Sequence, residues 1–121
     1  MNYVRLYETR DGESHFDTCE VVAPPTALEG GNMQMRMSDP IGVGQLTFFH
    51  LPRGWVQEWH RAPRRQFVLV HLGVMWIEAS DGEVRLIRAG ESLLVEDVAG
   101  KGHRTTVPEG DCTGVVVTVS G

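Results

Sequence analysis

Gly54-Trp55-Val56-Gln57-Glu58-Trp59-His60 runs into Arg61-Ala62-Pro63-Arg64-Arg65-Gln66, and six further residues, Phe67-Val68-Leu69-Val70-His71-Leu72, lead to Gly73. Two short runs rich in aromatic and β-branched residues are joined by a Pro-containing basic reversal and bounded by glycine, a pattern of strand, turn and strand. The same texture extends outward. Apolar residues recur with period two or in short runs at Val4 to Tyr7, Gln45 to Leu51, Met75 to Ala79, Val84 to Ile87, Leu93 to Glu96 and Gly114 to Val119. Between them stand Leu51-Pro52-Arg53-Gly54, Ser80-Asp81-Gly82-Glu83, Arg88-Ala89-Gly90 and Val107-Pro108-Glu109-Gly110-Asp111, each able to reverse the chain, with Asp81-Gly82 the cleanest hairpin turn. No window long enough for a helix keeps a 3.6-residue period, and Ala27 to Ser38 is too irregular to assign. The expectation is an all-β chain of about eight or more short strands, in a sandwich, jelly roll or small barrel.

The chain has 121 residues, which suits a single domain (residues 1–121) able to bury roughly two-thirds of its unfolded surface. Residues 1–44 read as an arm with leading strands, and 45–119 as the barrel core. Ala23-Pro24-Pro25 and Glu29-Gly30-Gly31 make the loosest stretch. A net charge of -5 and no basic block longer than Arg64-Arg65 argue against a nucleic-acid or anionic membrane surface. The first twenty residues carry Arg5, Glu8, Arg10, Asp11 and Glu13, unlike a signal peptide, and nothing approaches the roughly 18 apolar residues of a membrane span. Cys19 and Cys112 lack a CxxC partner and suit reduced thiols, so a cytoplasmic location is expected.

The opening stretch resembles the first motif of the cupin family, in which a Gly, five residues, His-x-His, three or four residues, Glu, six residues and a Gly follow one another. Gly54, His60 and Gly73 fall on their positions, Ala62 stands for the second His and Gln66 for the Glu. Gly90-Glu91-Ser92-Leu93-Leu94-Val95-Glu96 and Gly100-Lys101-Gly102-His103 resemble the second motif, with Glu96 where Pro is usual and a loop to His103 two residues longer. The resemblance covers about Gln45 to Val119 and implies an RmlC-like jelly-roll barrel with an N-terminal strand or arm. It also implies a divalent metal held by His60, Gln66 and His103. Small cupins resemble one another in pairing barrel edges, so a homodimer is expected, with residues 1–39 as a candidate swapped arm.

The residues themselves are compatible with this. Like parity places Glu58 and His60 on one face of a strand, and Gln66 opens the neighbouring one. Two neutral imidazoles and an amide oxygen give three ligands and leave positions for water or substrate. Gln brings no charge, so the ion, whether Zn, Mn, Fe, Ni or Cu, would be a stronger Lewis acid and be held less tightly. A second reading runs beside this one, in which His60 and His103 are hydrogen-bonded pocket residues and Gln66 satisfies backbone groups. Glu58 and Glu96 are candidates to move a proton, Glu96 and its neighbour Asp97 standing just before the glycine-rich loop. His15, His50 and His71 read as surface or rim residues. Trp55, Trp59 and Trp76 read as core or interface area, or as a stacking surface at the barrel mouth, and Arg64 and Arg65 as a solvated turn.

Three functions follow. The first is a Lewis-acid enzyme, a lyase or isomerase before a dioxygenase, acting on a small polar organic molecule. The second is a non-catalytic metabolite-binding module. The third is a metal-free sugar epimerase or isomerase with histidine as base. The fold does not choose among them.

Overall fold

The computed structural model describes residues 1–120, which form strands, turns, bends and irregular connections, with none in a helix. Twelve strands follow in chain order: β1 (Asn2–Glu8), β2 (Ser14–Glu20), β3 (Pro25–Thr26), β4 (Met35–Arg36), β5 (Val43–Leu51), β6 (Val56–His60), β7 (Gln66–Leu72), β8 (Val74–Ala79), β9 (Val84–Arg88), β10 (Ser92–Val95), β11 (His103–Thr106) and β12 (Cys112–Val119). One sheet has the order β2-β1-β10-β7-β12-β5 and the other β6-β11-β8-β9, while β3 and β4 form a small ladder apart. Consecutive strands such as β8 and β9 make hairpins. Others, such as β5 and β6, part company and join different sheets, so that the two sheets enclose one interior.

Alternation decides what fills that interior. Met75, Ile77 and Ala79 on β8 are buried while their neighbours are not, and Val68 and Val70 do the same on β7. With Leu6, Phe16, Ile87, Leu93, Val95, Val107 and Cys112 they form one apolar cluster. A side chain as enclosed as Ile77, 1% exposed, contributes about 1.5–3 kcal/mol relative to leaving it in water.

Two features of the N-terminal half were not in the sequence reading. β1 lies parallel to β10, with Val4, Arg5 and Leu6 opposite Leu93, Leu94 and Val95, so the chain's start is woven into the sheet. β2 returns antiparallel along β1 through a turn at Asp11-Gly12, the dipeptide that also marks the β8–β9 hairpin. The stretch after Ala23 is mostly exposed and holds only the two-residue β3–β4 ladder.

Candidate functional site

His60 closes β6 and His103 opens β11, and the register sets them directly opposite each other. Their ring centroids are 4.3 Å apart. Next to this pair the ladder is irregular: His103 faces His60, but Thr105 faces Gln57, so Glu58 and Trp59 share the place opposite Arg104. This is a β-bulge, and its extra residue inverts the alternation. Gln57 and His60 therefore both line the cavity, and Glu58 does not. The like-parity expectation is corrected here: the Glu58 carboxylate turns outward, 70% exposed, and accepts from Arg104 Nε at 2.9 Å.

Glu96 is also directed away from the cavity. It accepts from Arg5 Nε at 2.5 Å and from Arg65 Nε at 2.7 Å, fastening β1 and the turn before β7 to the end of β10. Burial would raise its pKa, but the two guanidiniums outweigh burial and hold the carboxyl below its usual value. The carboxylate that reaches the site is its neighbour. Asp97 is 0% exposed, and its Oδ2 accepts from His103 Nδ1 at 2.6 Å. Sequence parity carried a signal for this. Leu93 and Val95 line the cavity, and Asp97 continues their parity, whereas Glu96 continues that of Leu94.

Each histidine is held by its Nδ1. A carbonyl only accepts, so His60 Nδ1 donates to the Glu58 carbonyl at 2.8 Å, and His103 Nδ1 donates to the Asp97 carboxylate. In the neutral form each ring is thereby held in the tautomer whose Nε2 is the acceptor. Burial pushes the His60 imidazole below its ordinary pKa, helped by His103, although the Glu58 carbonyl and Asp97 pull the other way. Burial thus favours neutral imidazole at His60.

The loop carrying Asp97 to His103 is tied down by the β1–β2 turn. Lys101 N donates to the Gly12 carbonyl at 2.8 Å, the buried Ser14 Oγ donates to the Gly102 carbonyl at 2.8 Å, and the Lys101 ammonium pairs with Glu13. Gly102 adopts φ +76°, and its Cα passes so close to β6 that an added Cβ would stand 2.2 Å from the His60 carbonyl oxygen.

The histidines face a cavity of about 190 Å³ between the sheets. Gln66, the first residue of β7, reaches it from the six-stranded sheet, while both histidines belong to the four-stranded one. Most of the wall is apolar, including Phe49, Trp55, Val68 and Ile77, with Gln57 and Thr105 as further polar groups. His60, Gln66 and His103 thus line one cavity, which Glu58 and Glu96 do not reach. Among the described residues no three His, Cys, Asp or Glu side chains are grouped to hold a metal, so an ion here would rest on two imidazoles, Gln66 and solvent. The chemistry of the donors still fits one. Both imidazoles keep Nε2 free of the bonds that hold Nδ1, and Asp97 Oδ1 is buried without a hydrogen-bond partner, so the carboxylate is compensated only on its His103 side.

The other histidines lie elsewhere: His15 bonds Asp81 at 2.9 Å, His50 bonds Asp111 at 2.9 Å, and His71 is exposed. Cys19 and Cys112 are free thiols. Among the described residues no helix is long and apolar enough to cross a membrane.

No family model matches the sequence, and no curated protein matches it. Solved structures do. The polyketide cyclase RemF from Streptomyces resistomycificus superposes with a TM-score of 0.54 at 20% identity, over 96% of this chain and 73% of that one. A cupin 2 conserved barrel domain protein from Leptotrichia buccalis gives 0.53 at 18% identity, over 78% of this chain and 43% of that longer one. A conserved protein of unknown function from Streptococcus pyogenes gives 0.52 at 19% identity, over 70% of each. The likeness lies in the fold, and the chain has the fold of a small cupin.

Proposed function

We propose that the chain is an enzyme whose cavity binds a divalent transition metal through His60, His103 and Gln66. Its chemistry is that of a lyase or isomerase on a small molecule with an apolar body and one oxygen-bearing end. The observation that carries this is the buried Asp97 carboxylate on His103 Nδ1, with the Glu58 carbonyl playing the same part for His60. An outer acceptor of this kind fixes the tautomer and raises the basicity of the other ring nitrogen. A bound ion would supply Lewis-acid polarisation of a carbonyl or hydroxyl oxygen. The chain's own contributions are distinct from that. The apolar wall excludes water and accepts the body of the ligand, Gln57 and Thr105 offer hydrogen bonds to its polar end, and the oriented imidazoles hold the ion beside that end. RemF is a polyketide cyclase, so a barrel of this shape is compatible with an enzyme, although fold alone does not select the reaction.

Elemental analysis and calorimetry with zinc, manganese, nickel and iron(II), on protein purified without a His-tag, test the centre. His60→Ala and His103→Ala each abolish stoichiometric binding, Gln66→Glu tightens it by adding a charge, and stripping the ion lowers the melting temperature. A wild type indistinguishable from the double histidine variant would overturn the metal centre. The Asp97–His103 pair favours a second reading in that event, since a carboxylate-oriented imidazole is a general base without any metal. Turnover that survives chelation selects it. A cavity that binds metabolites and turns none over leaves the non-catalytic module.

A further inference from the structure

Three of the five methionines stand at alternate positions, Met33-Gln34-Met35-Arg36-Met37, on the hairpin of β3 and β4 that lies apart from both sheets. Met75, 8% exposed, packs in the apolar cluster, as a methionine ordinarily does. Met33, Met35 and Met37 are instead 80%, 43% and 41% exposed. One such residue on a surface needs no explanation, but three at every second position make a pattern. The backbone holds them in a row. Thr26 is opposite Met35, Pro25 is opposite Arg36, and Met37 N donates to the Pro24 carbonyl at 3.3 Å, so the chain is extended and tied from Met35 to Met37. Residues of like parity share a face there, which sets Met35 and Met37 on one side about 6.8 Å apart along the strand, with Arg36 on the other. At the hairpin tip Gly31 N donates to the Leu28 carbonyl at 3.0 Å, and Met33 follows in a bend just ahead of β4. None of the three lines the barrel cavity.

We infer that Met33, Met35 and Met37 form a surface site for a soft monovalent metal ion, Cu(I), held by three thioether sulfurs. A thioether is neutral and acts only as an acceptor, and the unbranched methionine side chain turns about three bonds, so neighbouring sulfurs on one face can be brought to a common ion. Soft sulfur selects Cu(I). Manganese prefers oxygen donors, and zinc is held by thiolate, imidazole or carboxylate, so both gain little from uncharged sulfur. Among the described residues no three His, Cys, Asp or Glu side chains are grouped to offer a harder ion a site on this hairpin. The site stands in solvent, where its ion exchanges freely, and it is separate from the centre proposed at His60 and His103.

Nuclear magnetic resonance of the intact chain, labelled with carbon-13 at the methionine methyls, tests this by anaerobic titration with Cu(I) and with Ag(I), a soft ion that does not change its oxidation state. The methyl signals of Met33, Met35 and Met37 should shift together and saturate at one ion per chain, and zinc should leave all three in place. Met35→Leu keeps the size and exposure of the side chain, so it should preserve the circular dichroism spectrum and weaken Ag(I) at the hairpin about tenfold or more. His60→Ala should leave that affinity within about twofold of wild type. Three methyl signals that ignore Cu(I) and Ag(I), a shift at Met75 in the barrel cavity in place of them, or a Met35→Leu chain that binds as tightly as wild type overturns the inference. Zinc binding at the histidines is read separately, so failure of the hairpin site and failure of the barrel centre are distinguished.

Discussion

Gly102→Ala is the sharpest single test of how the fold builds the site. Gly102 sits at φ +76°, and an L residue in that region costs about 1–2 kcal/mol. The larger cost is contact. The new Cβ would lie 2.2 Å from the His60 carbonyl oxygen, 2.4 Å from its carbon and 2.9 Å from the Arg61 nitrogen, all backbone atoms that no rotamer change can move. β6 and the start of β11 must separate, which draws His60 and His103 apart and strains the bond from Ser14 to the Gly102 carbonyl. Gly90→Ala is the control, because Gly90 has φ +88° but nothing within 4 Å of its Cβ position. Urea denaturation should therefore show a loss of about 1–2 kcal/mol for Gly90→Ala and of about 4 kcal/mol or more for Gly102→Ala. Metal affinity should fall only in the second. Equal losses within about 0.5 kcal/mol would refute the argument that close approach, rather than backbone handedness, holds the histidines together.

Other expectations concern the carboxylates and the sheet edge. Asp97→Asn, which can present an amide N–H to His103 Nδ1, should lower metal affinity about 10–100-fold by calorimetry, while Asp97→Glu should recover part of it if orientation of the ring is the cause. Glu96 has a folded pKa below its unfolded value of about 4.3, so its stabilisation is present above that pH and lost as pH falls through the folded value. Glu96→Gln should accordingly be less stable than wild type at pH 7 by denaturant titration, with the gap closing below about pH 4; a gap independent of pH would count against the ion triad. β5 is an edge strand whose Leu46 and Phe48 are 56% and 78% exposed, which fits a second copy pairing there, and Phe48→Glu should shift a dimer toward monomer in sedimentation. A wild type that is monomeric at every accessible concentration would remove that expectation.

Local chemistry determined a good part of this protein. Alternating apolar residues marked β5 to β10 and β12 to within a residue or two, because a strand with one buried face must alternate wherever the chain runs. The glycines of the two resembling motifs, Gly54, Gly73 and Gly90, all have positive φ, a demand that the turn makes of the residue on the spot. His60, Gln66 and His103 were legible for the same reason, since they stand at strand ends that such turns position. β2 escaped notice although Asp11-Gly12 signalled its hairpin, because its outer half, Asp17 to Glu20, buries almost nothing and leaves a weak alternation. The parallel pairing of β1 with β10 joins residues nearly ninety positions apart, and no local pattern encodes it. The proton-carrying candidates went the same way. Glu58 leaves the cavity because of a bulge that exists only in the pairing of β6 with β11, and Glu96 leaves it because Arg5 arrives from β1 and Arg65 from the turn before β7. Asp97 gains its place behind His103 through the loop fold that Gly12, Ser14 and Lys101 hold in position. Periodicity fixes which face a residue takes within one strand, but register between strands and the charges that meet across them are properties of the assembled sheets, and these decide which carboxylate serves the site.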